Sequence, residues 1–99
     1  MTAAELMQRT DEATALSRLW VSLIGTAPEP AQFHRWLGNF GFDNTMAAVQ
    51  RTAQKFALLS GRMDSDYQRK YCTSCAKNAQ AQSEATRRKH NYPFMEQSQ

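Results

Sequence analysis

The sequence predicts an all-α fold, a small bundle of about four helices, the second short and the fourth long. Val21, Ile24 and Val49 are its only β-branched aliphatic residues, while alanine and glutamine recur throughout. That usage favours helix over sheet. Apolar residues return every three or four positions instead of alternating, which is the helical period. Gly25, Pro28, Pro30, Gly41 and Gly61 fall between the periodic stretches and divide them. At 99 residues, 41% of them hydrophobic, the chain is one domain's worth and long enough to bury a core. A single helical domain is expected over 1–90, followed by a flexible tail over 91–99.

The first helix opens near Thr2, placed to cap, with Glu5 three residues on as a capping-box acid. Leu6, Ala13, Leu16, Trp20, Leu23 and Ile24 form its apolar stripe, and Gly25 ends it. Thr26-Ala27-Pro28-Glu29-Pro30 is a rigid link, and Pro30 suits a first helical position. The short second helix carries Phe33, Trp36, Leu37 and Phe40 on one side, and Gly41 terminates it. Asp43 is expected to cap the third helix, with Phe42 before it as a staple. Met46, Val49, Ala53, Phe56 and Ala57 are its inward stripe, with Gly61 past its end. Asp64 or Ser65 caps the fourth helix, which is expected to run to about Arg88. Tyr67, Tyr71, Cys75 and Ala79 line up along it at four-residue steps, flanked by Cys72 and Ala76. Arg69, Lys70, Thr73 and Lys77 are assigned to the opposite side.

Composition and charge narrow the function. The densest apolar stretch, Leu19 to Ile24, is far too short to span a membrane. The N-terminus has Glu5, Arg9, Asp11 and Glu12 but no apolar core of a secretory signal, so a cytoplasmic location is expected. The net charge of +3 is uneven. Arg9 and Arg18 are outweighed by Glu5, Asp11, Glu12 and Glu29 up to residue 30, whereas bases outnumber acids from there on. An acidic partner such as nucleic acid is therefore permitted.

Catalytic and metal chemistry find little to stand on. Cys72-Thr73-Ser74-Cys75 supplies two zinc ligands where four are needed, and neither His34 nor His90 has a matching spacing. A redox role needs a thiolate held at a helix N-terminus, and Cys72 falls about two turns inside its helix. The pair is expected to fill a helix interface. No glycine-rich phosphate loop and no facing pair of carboxylates is visible. The chain is expected not to be an enzyme and to carry no cofactor or metal.

Two binding surfaces remain. Arg69, Lys70 and Lys77 on the fourth helix, extended by Arg87, Arg88 and Lys89, would meet phosphates. Phe33, Trp36 and Phe40 have core spacing, but exposed they would serve a protein partner instead.

From Leu19 to Asn78 the order of features resembles the C-terminal helical domain of DnaD-like replication proteins of phages and Gram-positive bacteria. The likeness is carried by Trp20 through Gly25, Pro28-Glu29, Phe33 to Trp36-Leu37, Met46-Ala47-Ala48-Val49, and Tyr67 to Tyr71 onward. After Tyr71 this chain has Cys75 and Ala76 where that family continues with Ile-Leu and a tryptophan. The resemblance implies binding to DNA or to a replication protein. The function expected is a DNA- or replication-protein-binding accessory factor. The alternative is a phage or mobile-element adaptor or inhibitor that binds protein and touches no nucleic acid.

Overall fold

The computed structural model describes residues 2–91, with side chains to Arg87. It is a four-helix bundle: α1 (Ala3–Leu23), α2 (Pro30–Phe40), α3 (Phe42–Leu58) and α4 (Ser65–Asn91). There is no strand among the described residues. Of the tail expected over 91–99, Asn91 is the last residue of α4 and residues 92–99 lie outside the described part.

Local chemistry accounts for most boundaries. The Thr2 hydroxyl accepts from the Glu5 N–H at 3.2 Å and caps α1. Both Ile24 and Gly25 donate their N–H to the Trp20 carbonyl, and Gly25 takes φ 135°, a conformation that costs a β-carbon dearly. Pro30 stands at the start of α2, where its missing N–H costs nothing. Asp64 caps α4, its Oδ1 accepting from the Tyr67 N–H at 2.8 Å.

The start of α3 differs from expectation. Gly41, at φ 82°, closes α2 by donating to the Leu37 carbonyl and opens α3 directly. The Gly41 carbonyl accepts both the N–H and the hydroxyl of Thr45, at 3.1 and 2.7 Å. Asp43 is therefore inside the first turn of α3 and not its cap. There its charge still suits the helix dipole.

The core is built around three aromatic rings. Trp20 stacks on Trp36 with centroids 5.9 Å apart, and Phe33 meets both edge-on at 6.0 and 5.5 Å. Leu16, Ala48, Val49, Cys72 and Ala76 close around them. The Trp36 Nε1–H donates to the Thr73 hydroxyl at 2.9 Å, so one side chain of α2 ties the α1 aromatic to α4. Among the described residues the backbones of α1 and α4 do not approach closely; α2 packs against both, as does α3.

Several stripes shift from those expected. Leu6 and Leu23 of α1 are exposed, because Leu6 sits in turns that run past the core and Leu23 faces away from it. On α3 the fully buried face is Thr45, Ala48, Val49 and Thr52, with Met46, Ala53 and Phe56 half-buried and Ala57 exposed. The threonines enter the core because their hydroxyls donate to the carbonyls four residues back, Gly41 and Ala48. On α4, Gln68, Cys72, Cys75 and Ala76 are buried while Tyr67 is exposed. Gln68 satisfies its amide on the Met63 carbonyl at 2.9 Å. Thr73 faces α2, not the outside.

Candidate nucleic-acid interface

The two surfaces named from the sequence meet opposite fates. Phe33 and Trp36 are fully buried and Phe40 is half-buried, so they do not form an exposed patch for a partner. Their i, i+3 spacing places the first two on the side of α2 that α1 covers.

The basic residues of α4 do not share one face. Arg69 is half-buried on the α2 side, lining a polar cleft with Glu29, Gln32 and Arg35. Lys70 and Lys77 are exposed and Arg87 is exposed further along. Arg69 and Lys70 both bind Asp66, each at 3.0 Å, one turn back on the same helix. Hydrogen bonding to Lys70 and its charge, then Arg69, hold the Asp66 carboxyl below its usual range. Such exposed pairs are weak and open readily. Lys77 and Arg87 make no ion pair among the described residues. Arg88 and Lys89 are in α4, but their side chains lie outside the described part.

Beyond Gln80 the helix is solvated through Arg87. It stays beside the end of α2 and the start of α3 through Gln80 Nε2 donating to the Asn39 carbonyl and Ser83 Oγ donating to Asn44 Oδ1, at 3.1 and 3.3 Å. A shallow groove follows, bounded by Asp43, Asn44, Ala47, Ala79, Ser83 and Arg87.

The other flank of α4 carries a cluster not foreseen as a site. Tyr67 and Tyr71 lie nearly parallel, at 13° and 6.2 Å between centroids. Lys55 of α3 places its Nζ over the Tyr71 ring at 5.9 Å from the centroid. Burial raises the Tyr71 hydroxyl and the Cys75 thiol, and the Arg51 charge opposes both rises. Arg51 therefore acts on this flank as well. The four-step spacing of Tyr67, Tyr71, Cys75 and Ala79 puts the tyrosines in line with residues that face the core. Only the exposure of Tyr67, at 46%, tells the pair apart from core.

The cysteines are free and buried. Burial pushes the Cys72 thiol up to about 12, against which a hydrogen bond with Thr52 acts only partly. A thiol held protonated in this way is a poor nucleophile and a poor metal ligand. Among the described residues no three His, Cys, Asp or Glu side chains converge on a point that could hold a metal. His34 is half-buried in a cleft between α1 and α2, beside Arg18 and Thr14. No helix among the described residues is long and apolar enough to cross a membrane. Compared with known proteins, the chain matches no family model, no curated protein and no solved structure.

Proposed function

We propose that this protein is a non-enzymatic helical module that binds DNA through α4, as an accessory factor of replication. The observation that carries the reading is the series of exposed cations along that helix, of which Lys77 and Arg87 are in no ion pair among the described residues. Lys70, Lys77 and Arg87 project into solvent along about 26 Å of helix axis, at 1.5 Å per residue. Arg69 and Lys70 become available when their pairing with Asp66 opens, and Arg88 and Lys89 continue the basic series in sequence. Long flexible cations on a solvated helix neutralise phosphates and read no base edges. The likeness of Leu19 to Asn78 to the DnaD-like C-terminal domain supports a target in replication, DNA or a replication protein.

The test is anisotropy titration of labelled oligonucleotides by the full chain at several salt concentrations. Binding should be weak and fall steeply with salt, with a logarithmic slope no greater than about five to six on duplex DNA. Replacing Lys77 and Arg87 together by Ala should lower that slope by about two. Absence of binding at low salt by a folded protein overturns the reading. A protein-binding adaptor then takes its place, and exposed Leu6 and Met7 on α1 become the first residues to change.

A further inference from the structure

We infer that the first two turns of α1 are an arm that seats in the α3–α4 groove of a second copy of this chain, and that two such contacts close a head-to-head dimer. The inference goes beyond the nucleic-acid reading and does not rest on it.

The arm is surplus to its own bundle. α1 has 21 residues and α2, which packs along it, has 11. At 1.5 Å per residue, α1 is the longer by about 15 Å. The excess lies at the N-terminal end, where every residue from Thr2 to Gln8 is exposed. Leu6 stands seven residues before Ala13 and fourteen before Trp20, so it continues the core-facing line of α1 past the core. Leu6 and Met7 are 54% and 68% exposed. The hydroxyls of Thr10 and Thr14, on the same side, are satisfied by the Leu6 and Thr10 carbonyls at 2.9 Å each. Adjoining apolar side chains on a face with satisfied polar groups make a contact surface.

The groove lies at the same end of the molecule. The Arg9 guanidinium is 3.9 Å from where a β-carbon on Gly38 would stand, and Gln80 bonds to the next residue, Asn39. Both α1 and α4 therefore leave the bundle at the end of α2. Past that point the groove between α3 and α4 has a volume of about 550 Å³. Ala47, Ala79, Ser83 and Thr86 line it with small side chains, which leaves room for longer ones from outside. The backbones of α1 and α4 do not approach closely within one chain, so the arm does not fill the groove beside it.

Charge selects a second copy as the occupant. Over residues 3–12, Glu5, Asp11 and Glu12 outnumber Arg9, whereas over 81–91 Arg87, Arg88 and Lys89 outnumber Glu84. Glu5, beside Leu6, meets Arg87 of the groove in the second copy. Asp43 is the acid lining the groove, and Gln8, one turn on from Glu5, offers it an amide donor. Because arm and groove share one end, each copy returns the contact it receives. The pair then closes on a two-fold axis instead of growing into a filament.

The test is sedimentation equilibrium of the full chain without nucleic acid, over a range of micromolar concentrations. The mass should rise from 11.3 kDa toward twice that value and stop there. Leu6→Ser with Met7→Ser should leave the circular dichroism unchanged and raise the dimer dissociation constant about ten-fold or more. Glu5→Lys and Arg87→Glu should each weaken the dimer, and the two together should restore it, a recovery that loss of fold cannot produce. A parent that stays at 11.3 kDa throughout overturns the inference. So does growth beyond the dimer, a dimer indifferent to the Leu6 and Met7 double variant, or a charge swap that fails to restore association. With no DNA present, none of these outcomes bears on the nucleic-acid reading.

Discussion

Two aromatic groups in this molecule share one sequence signature and have opposite environments. Phe33 and Trp36 stand three residues apart on α2, Tyr67 and Tyr71 four apart on α4, and all four therefore lie on single helix faces. The first pair is sealed by Trp20 of α1 and by α3 and α4, leaving both rings at 1% exposure or less. Beside the second pair stands the end of α3, whose contribution over the rings is the long side chain of Lys55. Helical spacing reports that residues share a face; it does not report whether anything covers that face. The tryptophan end is where stability resides, and the tyrosine end is where an aromatic surface remains available.

Substitutions at the two ends should separate these roles. Trp36→Ala removes a buried ring that contacts Trp20 and Phe33 and breaks the bond to Thr73. It should cost about 3–5 kcal/mol, a large fraction of the stability of a domain this size, and denaturant unfolding followed by circular dichroism measures it. A loss below about 1 kcal/mol would mean that the trio does not hold the bundle together.

Raising the pH tests the buried side of α4. The Cys72 thiol keeps its proton in the fold up to about 12, against 9.0 for an unperturbed thiol. Its contribution to stability is therefore complete below about pH 9 and is lost as pH rises through the folded value. The unfolded chain releases the proton first. The slope approaches about 1.4 kcal/mol per pH unit between those limits. Tyr71 and Cys75 shift upward too and add in the same direction. Urea midpoints measured from pH 8 to 10.5 should fall, and Cys72→Ala should flatten the decline. An undiminished alkaline slope in that variant would place its origin elsewhere.

At the exposed end the effects on stability shrink. Tyr67→Ala should change unfolding free energy by no more than about 0.5 kcal/mol, as surface changes usually do. A loss comparable to that at Trp36 would show that the tyrosine pair is structural after all. Asp66→Asn should alter stability least. It removes an acid from the first turn of α4 and releases Arg69 and Lys70. The checkable consequence is tighter DNA binding with a steeper salt slope; weaker binding would mean that Asp66 orients the two cations productively.

The helices themselves were legible because what starts and stops them is local. A threonine just before the first helix, prolines in a link and glycines at positive φ act within four residues of themselves, so their effect can be read in order along the chain. The one misplaced start follows the same logic. Gly41 was recognised as a stop, but one residue with a free carbonyl and a left-handed φ can also begin the next helix, making a cap at Asp43 unnecessary.

Hydrophobicity was a poorer guide to burial. Thr45 and Thr52 read as polar, yet their hydroxyls are satisfied inside their own helix and only methyl groups meet the core. Leu6 and Leu23 read as core and are exposed. Thr73 was grouped with the solvated cations, yet it accepts the Trp36 indole proton, a partner 37 residues away that no periodicity can announce.

The sequence by itself determined the number and order of the helices, most of their ends, and the excess of positive charge beyond residue 30. Those properties follow from hydrogen bonds within single turns and from composition. Only the tertiary structure decided which flank of α4 faces α2, which carries Tyr67 and Tyr71 beside Lys55, and which leaves Lys70 and Lys77 in solvent. A helix has more faces than neighbours, and the burial of each face depends on where other helices end in space.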